Sequence, residues 1–222
     1  MADAPAAATA APLARRFLRA PATRRFLRNR GAVVGLVLVV LLVLVALLAP
    51  WLAPYSPDAQ RLSLRLRPPS PDHWFGTDEF GRDIFSRVLF GARISLLTGL
   101  VPVATGLVVG TAVGLLAGFY RGWLDDVLMR VMDVLLAFPS LLLALAVVGT
   151  LGPGLVNAVI AVAIVSVPGY ARLARSVVIA SREEEFVHAA RALGANDPRL
   201  MLKHVLPSTI GPLTVQATLG IG

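Results

Sequence analysis

The sequence has 222 residues, 56% of them hydrophobic and only 15% charged, where a soluble domain carries about 25% charged residues. Its formal net charge is +8, and 20 of its 21 basic residues are arginine. The absence of cysteine excludes a disulfide framework, thiol catalysis and cysteine-ligated metal.

A basic excess fits either nucleic acid or a membrane surface, and its placement decides between them. Seven arginines precede residue 31, directly ahead of the first apolar run. That arrangement marks residues 1–30 as a membrane-surface arm and not a nucleic-acid-binding face. Arg-Arg-Phe-Leu-Arg occurs there twice, at 15–19 and 24–28, suited to lipid headgroups.

Residues 31–53 hold no charge over 23 positions, which matches the roughly 20 apolar residues needed to cross a bilayer. A cleaved signal peptide is the rival reading. Its apolar core is about 7–15 residues long, and this run is longer and starts later. The loop at 54–93 follows, with a proline-rich, irregular first half. From Asp83 onward, Ile84 with Val88 and Phe85 with Leu89 form i,i+4 pairs, the pattern of a short amphipathic helix at the membrane surface.

A second charge-free run covers 94–120, with Gly106, Gly110, Gly114 and Gly118 at intervals of four. On a helix they form a stripe that another helix can approach closely. Ordinary helix packing is the plainer use of such a stripe, and a pore lining the alternative. Residues 134–171 are charge-free over 38 positions, too many for one span. Gly152-Pro153-Gly154 divides them into 134–151 and 155–171, and Phe138-Pro139 predicts a kink in the first. The segment 207–222 is apolar and short, which predicts a fifth span cut off within its length.

With the amino terminus cytoplasmic, parity places 54–93 outside, 121–133 inside, 152–154 outside and 172–206 inside. Fifteen basic residues then lie inside against six outside, as the positive-inside rule requires. The fold expected is all-α, a polytopic transmembrane helical bundle.

Several chemistries lack their residues. The only lysine is Lys203, with no glycine-rich phosphate cradle before it. His73, His188 and His204 form no metal-binding pair, and no nucleophile–base set is available. The four runs contain no ionisable side chain, whereas ion-coupled carriers place such groups in the membrane. Energy for uphill transport must therefore arrive from outside the bilayer. A passive channel or secondary carrier is the alternative.

Residues 182–207 could receive that energy. Phe186, Ala189, Ala190 and Leu193 follow the spacing of one helical face, and Glu183, Glu184 and Glu185 suit the start of that helix. Gly194 is placed to end it in a left-handed conformation. Asp197 is placed to cap a second helix, with Pro198 at its first position, and Pro207 to stand where the next span begins. A plain interfacial loop and a partner-docking surface both fit these residues.

This stretch resembles the cytoplasmic coupling loop of ATP-binding-cassette importer permeases, whose pattern is Glu-Ala-Ala, three residues, Gly, nine residues, an apolar position, one residue, Leu-Pro. Ala189, Ala190, Gly194, Leu206 and Pro207 fall at the matching spacings. His188 stands in place of the glutamate, with Glu185 one turn earlier, and His204 occupies the apolar position. Independently, residues 75–97 are similar to the stretch before the second span in the dipeptide, oligopeptide and nickel branch, and the arm, first span and Ala-Pro-Tyr-Ser-Pro-Asp at 53–58 resemble the same branch.

The resemblance implies a type I importer permease of six spans, here cut short in the fifth, in the bacterial or archaeal cytoplasmic membrane. It implies a second permease subunit, two ATPase subunits that bind ATP and magnesium, and an extracytoplasmic binding protein delivering the solute, a di- or oligopeptide first, with nickel chelates and other small solutes behind it. No cofactor would be held by this chain. Glu185, Phe186, His188, Ala189, Ala190, Leu193, Gly194, Leu206 and Pro207 would form the ATPase-coupling surface. The residues that contact solute are not implied.

Overall fold

Backbone groups buried in hydrocarbon have no water to bond, so apolar runs of this length satisfy them within helices. The computed structural model describes residues 28–221, and among these the chain is built of helices and turns, with one isolated bridge between Thr77 and Asp83. Among the described residues, three helices are long and apolar enough to cross a membrane, or four if one bent pair forms a single span. The amino-terminal arm and its two repeats lie outside the described residues, save positions 28–30. The chain falls into two compact units, Met1–Arg93 and Ile94–Gly222, taken here in turn.

In the first unit, α1 spans Arg30–Leu52, and the Asn29 side chain caps it by accepting the Ala32 N–H at 3.3 Å. At 1.5 Å per residue its 23 residues extend about 35 Å. Its side chains are exposed along nearly the whole length, as suits a helix whose solvent is lipid.

The irregular segment beyond α1 is held by buried and half-buried polar groups. Asp78 accepts the Phe80 and Arg82 N–H groups at 2.8 and 2.9 Å and binds the Arg82 and Arg87 guanidiniums. Asp83 accepts the Ser86 N–H at 2.7 Å and bonds His73 Nδ1 at 2.9 Å, and Ser86 Oγ accepts the Tyr55 N–H. Gly81 lies at φ 71° with the Arg61 carbonyl filling the place of a side chain. Burial pushes both carboxyls up, but their donors outweigh it. The Arg82 and Phe80 hydrogen bonds and the Arg82 charge bring Asp78 down to about 2, and Ser86 and His73 hold Asp83 below its ordinary value.

In place of a short surface helix at 83–93, the structure has α2, which spans Ile84–Thr105. In the second unit it leads into a π turn at Gly106–Gly110 and then α3, Thr111–Tyr120. Arg121 and Gly122 take φ of 56° and 60° and turn the chain into α4, Gly122–Leu136. A break at 137–139 bends the chain by 91° into α5, Ser140–Leu151. Gly152 and Gly154, at φ 91° and 147°, form the turn to α6, Leu155–Arg182.

The chain departs here from boundaries drawn by charge alone. Residues 121–133 were expected as a connecting loop, and they form most of α4. The run at 134–151 is not one helix, because Pro139 cannot continue α4. The helix begun at 155 does not stop at 171 but continues through Arg172 and Arg175. The first and third departures share one cause, since charges of α4 and α6 pair with each other. Arg175 binds Asp125 through two bonds of 2.6 and 2.5 Å, and Arg172 binds Asp133 at 2.6 Å.

The glycine stripe faces α6. A Cβ on Gly106 would meet the Tyr170 ring at 2.5 Å, one on Gly114 the Ala174 Cβ at 2.7 Å, and one on Gly118 the Val178 side chain at 2.9 Å. A four-residue step on an ideal helix rotates the face by about 40°, so the stripe would wind away. The π turn between Gly106 and Gly110 underwinds the chain and returns the stripe to α6.

Gly110→Val should cost about 1–3 kcal/mol through overpacking, whereas Gly149→Ala, which meets nothing within 4 Å, should leave thermal unfolding of the detergent-solubilised protein unchanged. For the first unit, a carboxyl lowered in the folded state adds stability above its ordinary value and loses it as pH falls. Asp78 should therefore hold its segment above about pH 4 and release it toward pH 2, and Asp83, also lowered, should act in the same direction. Fluorescence of Trp74, with Trp51 and Trp123 replaced by Phe, should report that transition, and Asp78→Asn should shift it.

Candidate functional site

The stretch after α6 folds back onto the bundle. Helix α7, Glu185–Ala192, begins after two residues, with Glu184 in extended conformation as its cap and the Glu185 carboxylate in its first turn, where the helix dipole favours negative charge. It ends in a Schellman turn: the Gly194 N–H bonds Arg191 O at 2.9 Å, and the Ala195 N–H bonds Ala190 O at 3.1 Å. Gly194 supplies the required left-handed geometry at φ 86°.

Asn196, not Asp197, caps the next helix, accepting the Arg199 N–H at 3.2 Å. Asp197 and Pro198 therefore sit one position deeper than the spacing suggested, and Asp197 lies 3.5 Å from Arg191. This α8, Asp197–Leu200, passes through a π turn at Met201–Val205 into α9, Leu206–Ile221.

An apolar cluster fixes the stretch in place. Val187, Leu200 and Val205 are buried against Leu115 and Phe119 of α3 and Val178 of α6, with Ala190, Ala195, Met201 and Leu206 packed around them. The inward residue of α7 is Val187, 1% exposed, whereas Leu193 is 89% exposed and Phe186 49%. Ala189 and His188 are exposed as well, and Ala190 is half-buried.

The apolar spacing of Phe186, Ala189, Ala190 and Leu193 thus marks an outward face for all but Ala190. Val187 held the helix down unnoticed, since one inward residue on an eight-residue helix makes no periodic pattern. Glu185 and His188 share this outer side, and neither forms an ion pair among the described residues. Leu206 is half-buried at the foot of α9 and Pro207 is exposed beside it. The result is a short apolar and acidic ridge, fastened at both ends to long helices, with its apolar face open. The glycine stripe belongs to the packing beneath this ridge.

Among the described residues, no group of three or more His, Asp or Glu side chains could hold a metal ion. A cavity of about 400 Å3 lies between α3 and α9, lined by Leu107, Val108, Thr111, Leu206 and Leu213 among others. Its character is apolar, and the Thr111 hydroxyl in its wall is buried with no hydrogen-bond partner among the described residues.

A Cβ at Gly194 meets no neighbour within 4 Å among the described residues, but Gly194→Val forces a side chain into left-handed backbone, at a cost of about 1–2 kcal/mol. Amide hydrogen exchange should quicken across 185–195 and stay unchanged in α3 and α6.

By sequence, the chain is similar to transport proteins. Residues 110–222 match the family described as binding-protein-dependent transport system inner membrane component. Residues 16–69 match the amino-terminal transmembrane domain of oligopeptide transport permease C. The chain is 49% identical over 201 residues to a dipeptide transport system permease protein of Alkalihalophilus pseudofirmus, covering 90% of this chain and 66% of that protein. It is 49% identical over 203 residues to a di/tripeptide transport system permease protein of Pseudomonas aeruginosa, covering 87% and 66%. A glutathione transport system permease protein of Pectobacterium atrosepticum is 45% identical over 203 residues, covering 90% and 66%. The chain thus spans slightly less than two thirds of the length of these relatives.

Proposed function

The chain belongs to the binding-protein-dependent transport system inner membrane component family, and from that membership we propose that it acts as a permease subunit of an ATP-driven importer of di- and oligopeptides. It is a multi-pass inner-membrane protein. The observation that carries the proposal is the outward apolar face of α7, held on an apolar core shared with α3 and α6. An exposed face on an otherwise anchored helix serves a partner that covers it.

In this reading two ATPase subunits dock on the ridge from the cytoplasm, with the amino terminus on the same side. They bind the ATP and magnesium, since this chain has no glycine-rich phosphate cradle before its only lysine. A second permease subunit completes the pathway, and an extracytoplasmic binding protein delivers the solute. The peptide cargo is supported by the names of the relatives, which handle dipeptides, di- and tripeptides and glutathione.

The mechanism follows from the anchoring. Closure of the ATPases displaces α7, and the helices packed on it move with it between inward- and outward-facing states. The ATPases must bind the two states with different affinity, because equal affinity would shift nothing.

Ala189 lies on the exposed side of α7, so Ala189→Glu leaves the apolar core intact. Detergent co-purification of the full-length permease should recover both ATPase subunits in stoichiometric amount, and the variant should lose them by about tenfold or more. Purification of both forms without any ATPase would overturn the importer reading and leave a channel or carrier.

A further inference from the structure

Between the last turn of α6 and the start of α7, three successive side chains each reach a different part of the fold. Ser181 Oγ lies 2.6 Å from Ser208 Oγ on α9, and Ser208 donates its own hydrogen to Val205 O, so Ser181 is the donor between them. Arg182 donates from its guanidinium to Phe119 O at the end of α3, with that guanidinium 5.8 Å from the centre of the Phe119 ring. Glu183 pairs at 3.2 Å with Arg121, at the left-handed corner after α3.

The Arg182 contact has a clear physical basis. The last carbonyls of a helix have no partner inside it, and they form the negative end of its dipole. A guanidinium satisfies both needs with a charge-assisted bond, which is about twice as strong as a neutral one. The Glu183–Arg121 pair is half exposed on both sides and adds little. The contacts that count are Arg182 to α3 and Ser181 to α9.

A force applied to α7 reaches α6 directly through two connecting residues, 183 and 184. It reaches α3 and α9 through the apolar cluster and through these polar contacts. Apolar contact is non-directional and permits helices to slide, whereas hydrogen bonds fix direction and distance.

We propose that Arg182, together with Ser181 and Ser208, is a positioning clasp that ties α3 and α9 to α6 and keeps the three helices in fixed relation to one another while the transporter cycles, so that displacement of α7, passed directly to α6, moves them as one body. This rests on the importer reading above.

The test uses the full-length permease assembled with its partner subunits in proteoliposomes, measuring peptide uptake and ATP hydrolysis together. Arg182→Gln should leave hydrolysis within about twofold and cut uptake per ATP by about tenfold or more. Arg182→Lys, which can still donate to Phe119 O, should restore most of that ratio. Uptake and hydrolysis falling in proportion, with the ratio unchanged, would show a merely structural role and overturn the proposal.

A second variant holds even if Arg182→Gln folds poorly. These 222 residues hold no cysteine, so Ser181→Cys with Ser208→Cys introduces the only thiols within them, and any elsewhere in the assembly are replaced by Ser before the test. The oxidised pair should transport as well as the reduced one, because the clasp stays shut throughout the cycle. Loss of uptake on oxidation with recovery on reduction, or failure of the pair to cross-link at all, would overturn it. A wild-type complex lacking ATPases would instead overturn the importer reading, and the clasp with it.

Discussion

The contact between α3 and α6 at backbone distance is the constraint on which the second unit rests. Lipid offers no hydrophobic drive for one helix to associate with another, so close van der Waals packing must hold them together. Gly106, Gly110, Gly114 and Gly118 remove the side chains that would separate the two helices, and Tyr170, Ala174 and Val178 fill the space. Leu115, Phe119 and Val178 then stand together at the far end of this seam, and there they form the platform for Val187, Leu200 and Val205. Widening the seam would take the ground from under α7.

Charge works within the same frame. Asp125 is buried and meets Arg175 through two hydrogen bonds. Arg175 is itself partly exposed, so it is its removal that would leave a buried, unpaired carboxylate at Asp125. This pair, with Arg172 and Asp133, binds α4 to α6 and allows an amphipathic helix to lie against a membrane-spanning one. The 91° bend at Pro139 then redirects the chain into the apolar α5. The same logic governs the first unit, where Asp78 and Asp83 gather backbone donors and give shape to a segment with little regular structure.

Function then rests on a division of α7 into two sides. Val187 and Ala190 hold it to the bundle, while Phe186, Ala189 and Leu193 remain outside. A helix of eight residues does not hold its form alone in water. The Schellman turn at Gly194 and the apolar cluster supply what length does not. The rigid ridge that results is suited to receive force, and a loose loop would absorb it.

The sequence by itself determined the helical class, the positions of the apolar runs, the stop at Gly194 and the spacing of the glycine stripe. Each is local or periodic: absence of charge, a period near 3.6, or a residue whose backbone freedom is unusual. Only the tertiary structure decided that α4 is a helix, since its charges are tolerated because Arg172 and Arg175 arrive from about 40 to 50 residues away. It also decided which side of α7 faces inward, because Val187 has no periodic partner and its burial depends on Leu115, Phe119 and Val178. The links of Ser181 to Ser208 and Arg182 to Phe119 join residues 27 and 63 positions apart. Such contacts depend on where distant helices meet, and no local pattern of residues carries that information.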